Sequence, residues 1–117
     1  MIKDPEVFLK HILESIDWIE KDIKGFSKED FFQNVPIQDA VFRRLEIIGE
    51  AIRNLPDEFK RSYNETPWQD IMDMRNKLIH GYFGIDLDLV WGIVKQDIPP
   101  LKKQIKEILH LDPLDQN

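Results

Sequence analysis

Four side chains able to do chemistry stand close together in MRNKLIHGYF, the stretch from Met74 to Phe83: Arg75, Asn76, His80 and Tyr82. Asn76 and His80 are four residues apart and share one face of a helix. Arg75 sits about 100° from Asn76 around an ideal helix, and its long side chain reaches the same space. Ile71, Met74 and Leu78 form the apolar stripe of this segment, so the polar set begins where the stripe ends. Gly81 reads as a helix C-cap. A His beside such an end is favoured in its charged form by the helix dipole, by up to ~2 kcal/mol. That moves its titration toward neutrality, where a general acid or base works best. Arg75 stays charged at any working pH and presents a fork that suits phosphate. Together they could move a proton at a ribose hydroxyl or a leaving oxygen and offset charge on a phosphorane-like transition state, with no metal. Each residue also has an ordinary role: a capping His, a solvated Arg, a Tyr with its hydroxyl at the surface. Spacing by itself does not choose between them.

The elements that must position this set read as helices throughout. Asp4-Pro5 has the form of an N-cap followed by Pro in the first turn. Phe8, Ile12, Ile16, Ile19 and Ile23 then follow along one face. Gly25 reads as the stop. Ser27 with Asp30 three residues later predicts a capping box and a short helix through Phe32. Pro36 opens the next segment, where Val41, Leu45, Ile48, Ile52 and Leu55 form a stripe that Pro56 breaks. Glu58 to Tyr63 is a further helical turn. Thr66-Pro67 is a second N-cap and first-turn Pro, ahead of Ile71, Met74 and Leu78. The last segment carries Leu87, Val90, Val94, Ile98, Leu101, Ile105 and Ile108. Pro99-Pro100 lies inside it, and the stripe keeps its phase across the prolines, which predicts one helix kinked there. No segment alternates with period two. The expected fold is all-α: an up-and-down bundle of four long helices with one or two short ones, in a single domain over residues 1–117.

Composition narrows the function classes. The chain has 117 residues, 42% of them hydrophobic and 32% charged, which suits a globular domain with its own core. There is no cysteine, so disulfides and thiolate metal sites are excluded. The start, MIKDPEVFLK, lacks the apolar run of a secretory leader, and no run approaches the roughly 20 residues of a membrane helix. The expected location is the cytoplasm, away from membranes. The net charge of −6 argues against non-specific nucleic-acid binding through a broadly basic surface, though not against a local basic site.

Other residues invite weaker readings. Gly49, in mid-helix, costs about 1 kcal/mol against Ala and so suggests a close helix approach. Glu50 shares a polar face with Arg43, Glu46 and Arg53. It is either part of a solvated charged face or a residue that reaches the cleft and orients Arg75 or His80. His11 and His110 are isolated, with surface or interface roles, and no ligand set for zinc or another metal clusters anywhere. Trp18, Trp68 and Trp91 read as core or interface residues more than as stacking platforms. Lys102, Lys103 and Lys106 form a small basic patch, either a solvated helix end or an aid to holding RNA. No phosphate-binding glycine loop or nucleophile elbow is present, and no cofactor is implied.

The spacing Arg75, four residues, His80, one residue, Tyr82 resembles the signature of the HEPN superfamily. More narrowly it is similar to the HepT toxins, which are paired with a minimal nucleotidyltransferase antitoxin. The likeness extends to RRLEIIGEAIRNLP, to TPWQDIMDMRNKLIHGYFGIDLDLVW and to DIPPLKKQI, and so covers most of the chain. It implies a bundle of four to five helices and a homodimer whose two Arg–His motifs meet in a cleft. It implies that Arg75 and His80 are the catalytic pair of a metal-independent endoribonuclease, that Asn76 supports the site, and that Tyr82 is the tyrosine the partner modifies with AMP. Arg75 and His80 are about 140° apart on an ideal helix, an awkward pair within one copy. A cleft between two copies would join two of each. A different class stays open beside this: a non-catalytic module that binds nucleotide or substrate for the nucleotidyltransferase.

Overall fold

The computed structural model describes residues 4–79 and 86–110. The described chain is helical: α1 (Pro5–Asp22), α2 (Lys28–Phe32), α3 (Val35–Asn54), α4 (Asp57–Ser62), α5 (Trp68–Ile79), α6 (Leu87–Gly92), a π-helical turn over Ile93–Asp97, and α7 (Ile98–Ile108). The last three pieces run on without a break, so the described residues form four long helices and two short ones.

Local chemistry explains most of the boundaries. The Asp4 carboxylate accepts the Glu6 N–H at 2.9 Å at the start of α1. Gly25, at φ +77°, takes the left-handed turn that leaves it. Ser27 and Asp30 exchange bonds at 3.1 and 3.0 Å, the reciprocal cap expected for α2. Asn34 caps α3 by accepting from the Ile37 N–H at 3.1 Å, with Pro36 in the first turn. α5 starts one residue later than expected. Its first four-residue bond runs from the Ile71 N–H to the Pro67 carbonyl, while the Thr66 carbonyl accepts from Trp68. The expected C-cap at Gly81 lies outside the described residues.

The irregularity expected at Pro99-Pro100 falls one turn earlier. Neither proline can donate a backbone bond, and each ring crowds the carbonyl four residues back, at Lys95 and Gln96. The backbone widens there into the π turn, in which the Ile98 N–H reaches Ile93, five residues back. Val90, Val94, Ile98, Leu101 and Ile105 all remain buried through it, so the stripe keeps its phase.

The core lies between α1, α3 and the α6–α7 helix. Ile12, Ile16, Ile19, Val41, Ile52, Val90 and Ile105 are fully enclosed. Phe31 plugs one end, 5.3 Å from the Trp91 ring. Buried Gln38 donates to the carbonyls of Phe31 and Phe32 at 2.9 and 3.1 Å, which satisfies the end of α2. α1 runs antiparallel to α3: Phe8 and His11 face the Glu50 end, and Trp18 meets Arg44. α7 is tied to α1 by Lys102, which donates to Glu20 at 2.7 Å and lies 3.7 Å from Asp17. Lys102 is therefore committed to an ion pair, while Lys103 and Lys106 remain exposed. Trp68 is buried at 6%, but Trp18 is 43% exposed and so is not a core residue. Among the described residues, no helix is long and apolar enough to cross a membrane.

Candidate functional site

Arg75 projects from α5 onto α3, and α3 is shaped to receive it. A Cβ added at Gly49 would lie 2.5 Å from the Arg75 Cγ, 2.8 Å from its Cβ and 2.9 Å from its Cδ. Carbon atoms rest about 3.5–4.0 Å apart. The glycine thus forms a notch for the aliphatic stem of the arginine. Trp68 anchors the other end of α5, its ring nitrogen donating to the Tyr63 carbonyl at 3.1 Å. Ile71 holds the middle, buried at 7%.

The guanidinium is held but not saturated. One terminal nitrogen lies 3.4 Å from a Glu50 carboxylate oxygen, and the other lies 3.4 Å from the Asn76 side-chain oxygen. Both distances are at the weak end for charge-assisted bonds, which usually run about 2.7–2.9 Å. The Nε is enclosed and, among the described residues, has no hydrogen-bond partner. Glu50 is itself braced: Asn54 donates to its backbone carbonyl at 2.9 Å and approaches its carboxylate at 3.5 Å. The Arg75 side chain is 24% exposed and Glu50 52%, so the pair sits at a mouth open to water.

That mouth belongs to a cavity of about 370 Å³ between α1, α3 and α5. Phe8 and Ile47 supply apolar wall. His11, Arg43, Glu46 and Glu50 join Arg75 as its charged or titratable lining. Such a space can hold an anionic group on Arg75 and Arg43, beside an imidazole. Other concavities lie away from Arg75. One of about 440 Å³ follows α4 and the start of α5, and one of about 530 Å³ lies between α1 and the π turn.

Of the residues singled out from the sequence, Arg75, Asn76 and Glu50 are brought together. His80 and Tyr82 lie outside the described residues. Glu50 shares features of both readings given above, half solvated yet touching Arg75. His11 was read as isolated, and only the packing of α1 on α3 brings it to the Arg75 cavity. A cue existed in its place on the flank of the α1 stripe, three residues after Phe8. Among the described residues no group of three or more His, Asp or Glu could hold a metal ion.

Fold and site define a helical bundle whose penultimate long helix presents an arginine, seated against the neighbouring helix, at an open cleft. Residues 12–108 match the family described as ribonuclease HepT-like. The chain is 52% identical over its full length to a "gamma-glutamylcyclotransferase and putative RNase" of Methanocaldococcus jannaschii, and spans about half (52%) of that protein. It is 44% identical over 92% of its length to a "putative RNase" of Caldanaerobacter subterraneus, covering 96% of that protein. It is 46% identical over 86% of its length to a "probable ribonuclease HepT" of Thermococcus cleftensis, covering 92% of it. No solved structure matches. The chain belongs to the HepT-like ribonuclease family, of the HEPN type.

Proposed function

We propose that this protein is a metal-independent endoribonuclease that works through Arg75 and His80. The observation that carries the reading is the seating of Arg75. Its stem fills the Gly49 notch, and its terminal nitrogens keep donor capacity at an open cavity. His80 follows it by five residues in the motif that the family resemblance marks.

In this reading the ribose 2′-oxygen attacks the adjacent phosphorus as its proton passes to an imidazole. The bond from phosphorus to the 5′-oxygen breaks, and that oxygen takes up a proton. The products are a 2′,3′-cyclic phosphate and a free 5′-hydroxyl. Arg75 offsets the charge that builds on the non-bridging oxygens. Glu50 and Asn76 hold the guanidinium in register. A homodimer would bring a second Arg75 and His80 to the cleft, supplying both an acid and a base. A minimal nucleotidyltransferase would act as antitoxin by placing AMP on Tyr82, adding bulk and negative charge beside a site that must accept phosphate. This describes the toxin of a two-component system working in the cytoplasm.

Purified, unmodified protein incubated with mixed tRNA and mRNA in EDTA tests the reading, with His80→Ala and Arg75→Ala alongside and helicity checked by circular dichroism. Cleavage by the native chain, lost in both variants, is the expected result. No cleavage by native protein whose Tyr82 is unmodified by intact mass refutes it. Retained nucleotide or partner binding would then point to the non-catalytic module.

A further inference from the structure

Trp18 is 43% exposed, whereas Trp68 is buried and Trp91 packs against Phe31. Its ring carries two cations: the Lys21 amino group lies 5.0 Å from the ring centre and the Arg44 guanidinium carbon 5.5 Å. Lys21 comes from the next turn of α1 and Arg44 from α3. The acids flanking Trp18 in α1, Asp17 and Glu20, are both engaged by Lys102. On a chain of net charge −6, Lys21 and Arg44 set positive charge directly at this aromatic face, while the single charge of Lys102 offsets one of the two carboxylates beside it. Glu14 and Asp22, one turn before and one turn after Trp18 on the same side of α1, are further acids near the ring.

The patch continues into the Arg75 cavity. His11 lies seven residues before Trp18, two turns along the same side of α1 and about 10 Å away. His11 lines the cavity, as does Arg43, the neighbour of Arg44 on α3. One seam between α1 and α3 therefore runs from the Trp18–Arg44 pair to Arg75.

We propose that this seam is a docking track for a single-stranded RNA segment. A base stacks on the Trp18–Arg44 pair, and flanking phosphates meet Lys21 and Arg43, which leads the strand toward Arg75. The inference rests on the ribonuclease reading for what happens at Arg75. Bases stack on aromatic rings and on guanidinium planes, and only unpaired bases have a free face to offer. The charge beside the ring complements the backbone of such a strand.

The test uses the full chain carrying His80→Ala, so that binding is read without cleavage. A fluorescein-labelled single-stranded RNA twelve-mer and its duplex are titrated in EDTA and followed by anisotropy, with oligomer mass from light scattering. Adding Trp18→Ala should weaken single-strand binding about tenfold, within the range of a lost base–aromatic stack. Trp18→Phe should stay within about twofold, and Glu14→Gln should tighten binding. Duplex binding should be weaker and indifferent to Trp18. If Trp18→Ala misfolds by circular dichroism, Arg44→Ala serves in its place, with a reduced salt dependence expected. Unchanged single-strand affinity overturns the proposal. So does a loss of affinity that accompanies a halved mass, which would assign the seam to a second copy. Cleavage by the native chain is scored separately. Cleavage with no Trp18 effect removes only the track, whereas Trp18-dependent binding without cleavage removes only the ribonuclease reading.

Discussion

Replacing Gly49 with Ala sets two opposed effects against each other. In the interior of a helix the change should stabilise by about 0.5–1 kcal/mol, because Gly loses more backbone entropy on folding. Here the new methyl would lie 2.5–2.9 Å from three consecutive carbons of Arg75. Relief needs a shift of roughly 1 Å to restore ordinary contact. The Cγ and Cδ can swing away, but the Arg75 Cβ is fixed to the α5 backbone, so α3 and α5 must separate. Overpacking of this kind costs about 1–3 kcal/mol. The net expectation is a loss of about 0–2.5 kcal/mol, read as a lower urea midpoint. Activity should suffer more, because a 1 Å displacement of a charge-stabilising group can cost on the order of 10²-fold. Gly92→Ala is the internal control. Gly92 is also helical, and among the described residues nothing lies within 4 Å of its would-be Cβ. It should gain a few tenths to about 1 kcal/mol and cleave RNA as before. The notch argument is refuted if Gly49→Ala matches Gly92→Ala, with a raised urea midpoint and unaltered cleavage.

Glu50→Gln should change stability by less than about 1 kcal/mol, since the pair is half solvated, yet lower cleavage roughly tenfold by loosening Arg75; full activity in a folded variant would remove Glu50 from the site. Gln38→Leu removes the side-chain donor from the Phe32 carbonyl and from that of Phe31, which keeps the Asn34 N–H at 3.3 Å, so stability should fall by about 1–3 kcal/mol while activity per folded molecule holds. The hydrogen bond to Glu20, reinforced by the charges of Glu20 and Asp17, raises the Lys102 pKa above the ordinary lysine value against a smaller opposing effect of burial. A raised pKa in the folded state means stability that is complete below the unfolded value, about 10.4, and lost as pH climbs through the raised one. Lys102→Met should therefore cost a near-constant ~0.5–1 kcal/mol between pH 6 and 9, and the gap should close above that range; a gap that widened at high pH would contradict the assignment.

Much of the architecture is legible residue by residue. The caps at Asp4, Ser27 and Asn34 act within three residues of themselves, and stripes such as Val41, Leu45, Ile48 and Ile52 report a buried face by periodicity. Two local readings shifted on folding. The break expected at Pro99-Pro100 is absorbed in the turn before it, because a widened turn removes the carbonyl clash while keeping the stripe in phase. Trp18, read as core or interface from its helical spacing, is not in the core, because the stripe beside it, Ile12, Ile16 and Ile19, already fills that space; the interface half of that reading concerns a second chain.

The site divides in the same way. The sequence alone determined which residues are the candidates for chemistry, Arg75, Asn76 and His80, and the helix on which Arg75 and Asn76 ride, because residue type and spacing act over a turn or two. It also marked Gly49 as a point of close approach. Tertiary structure decided what Gly49 approaches, which carboxylate meets the guanidinium, that His11 enters the same cavity, and that Lys102 pairs with Glu20 and Asp17 beside Trp18. Those pairings join helices 25 to 85 residues apart in the chain. They depend on the rotation and offset of one helix against another, which the collective packing of all the stripes sets and no single stripe contains.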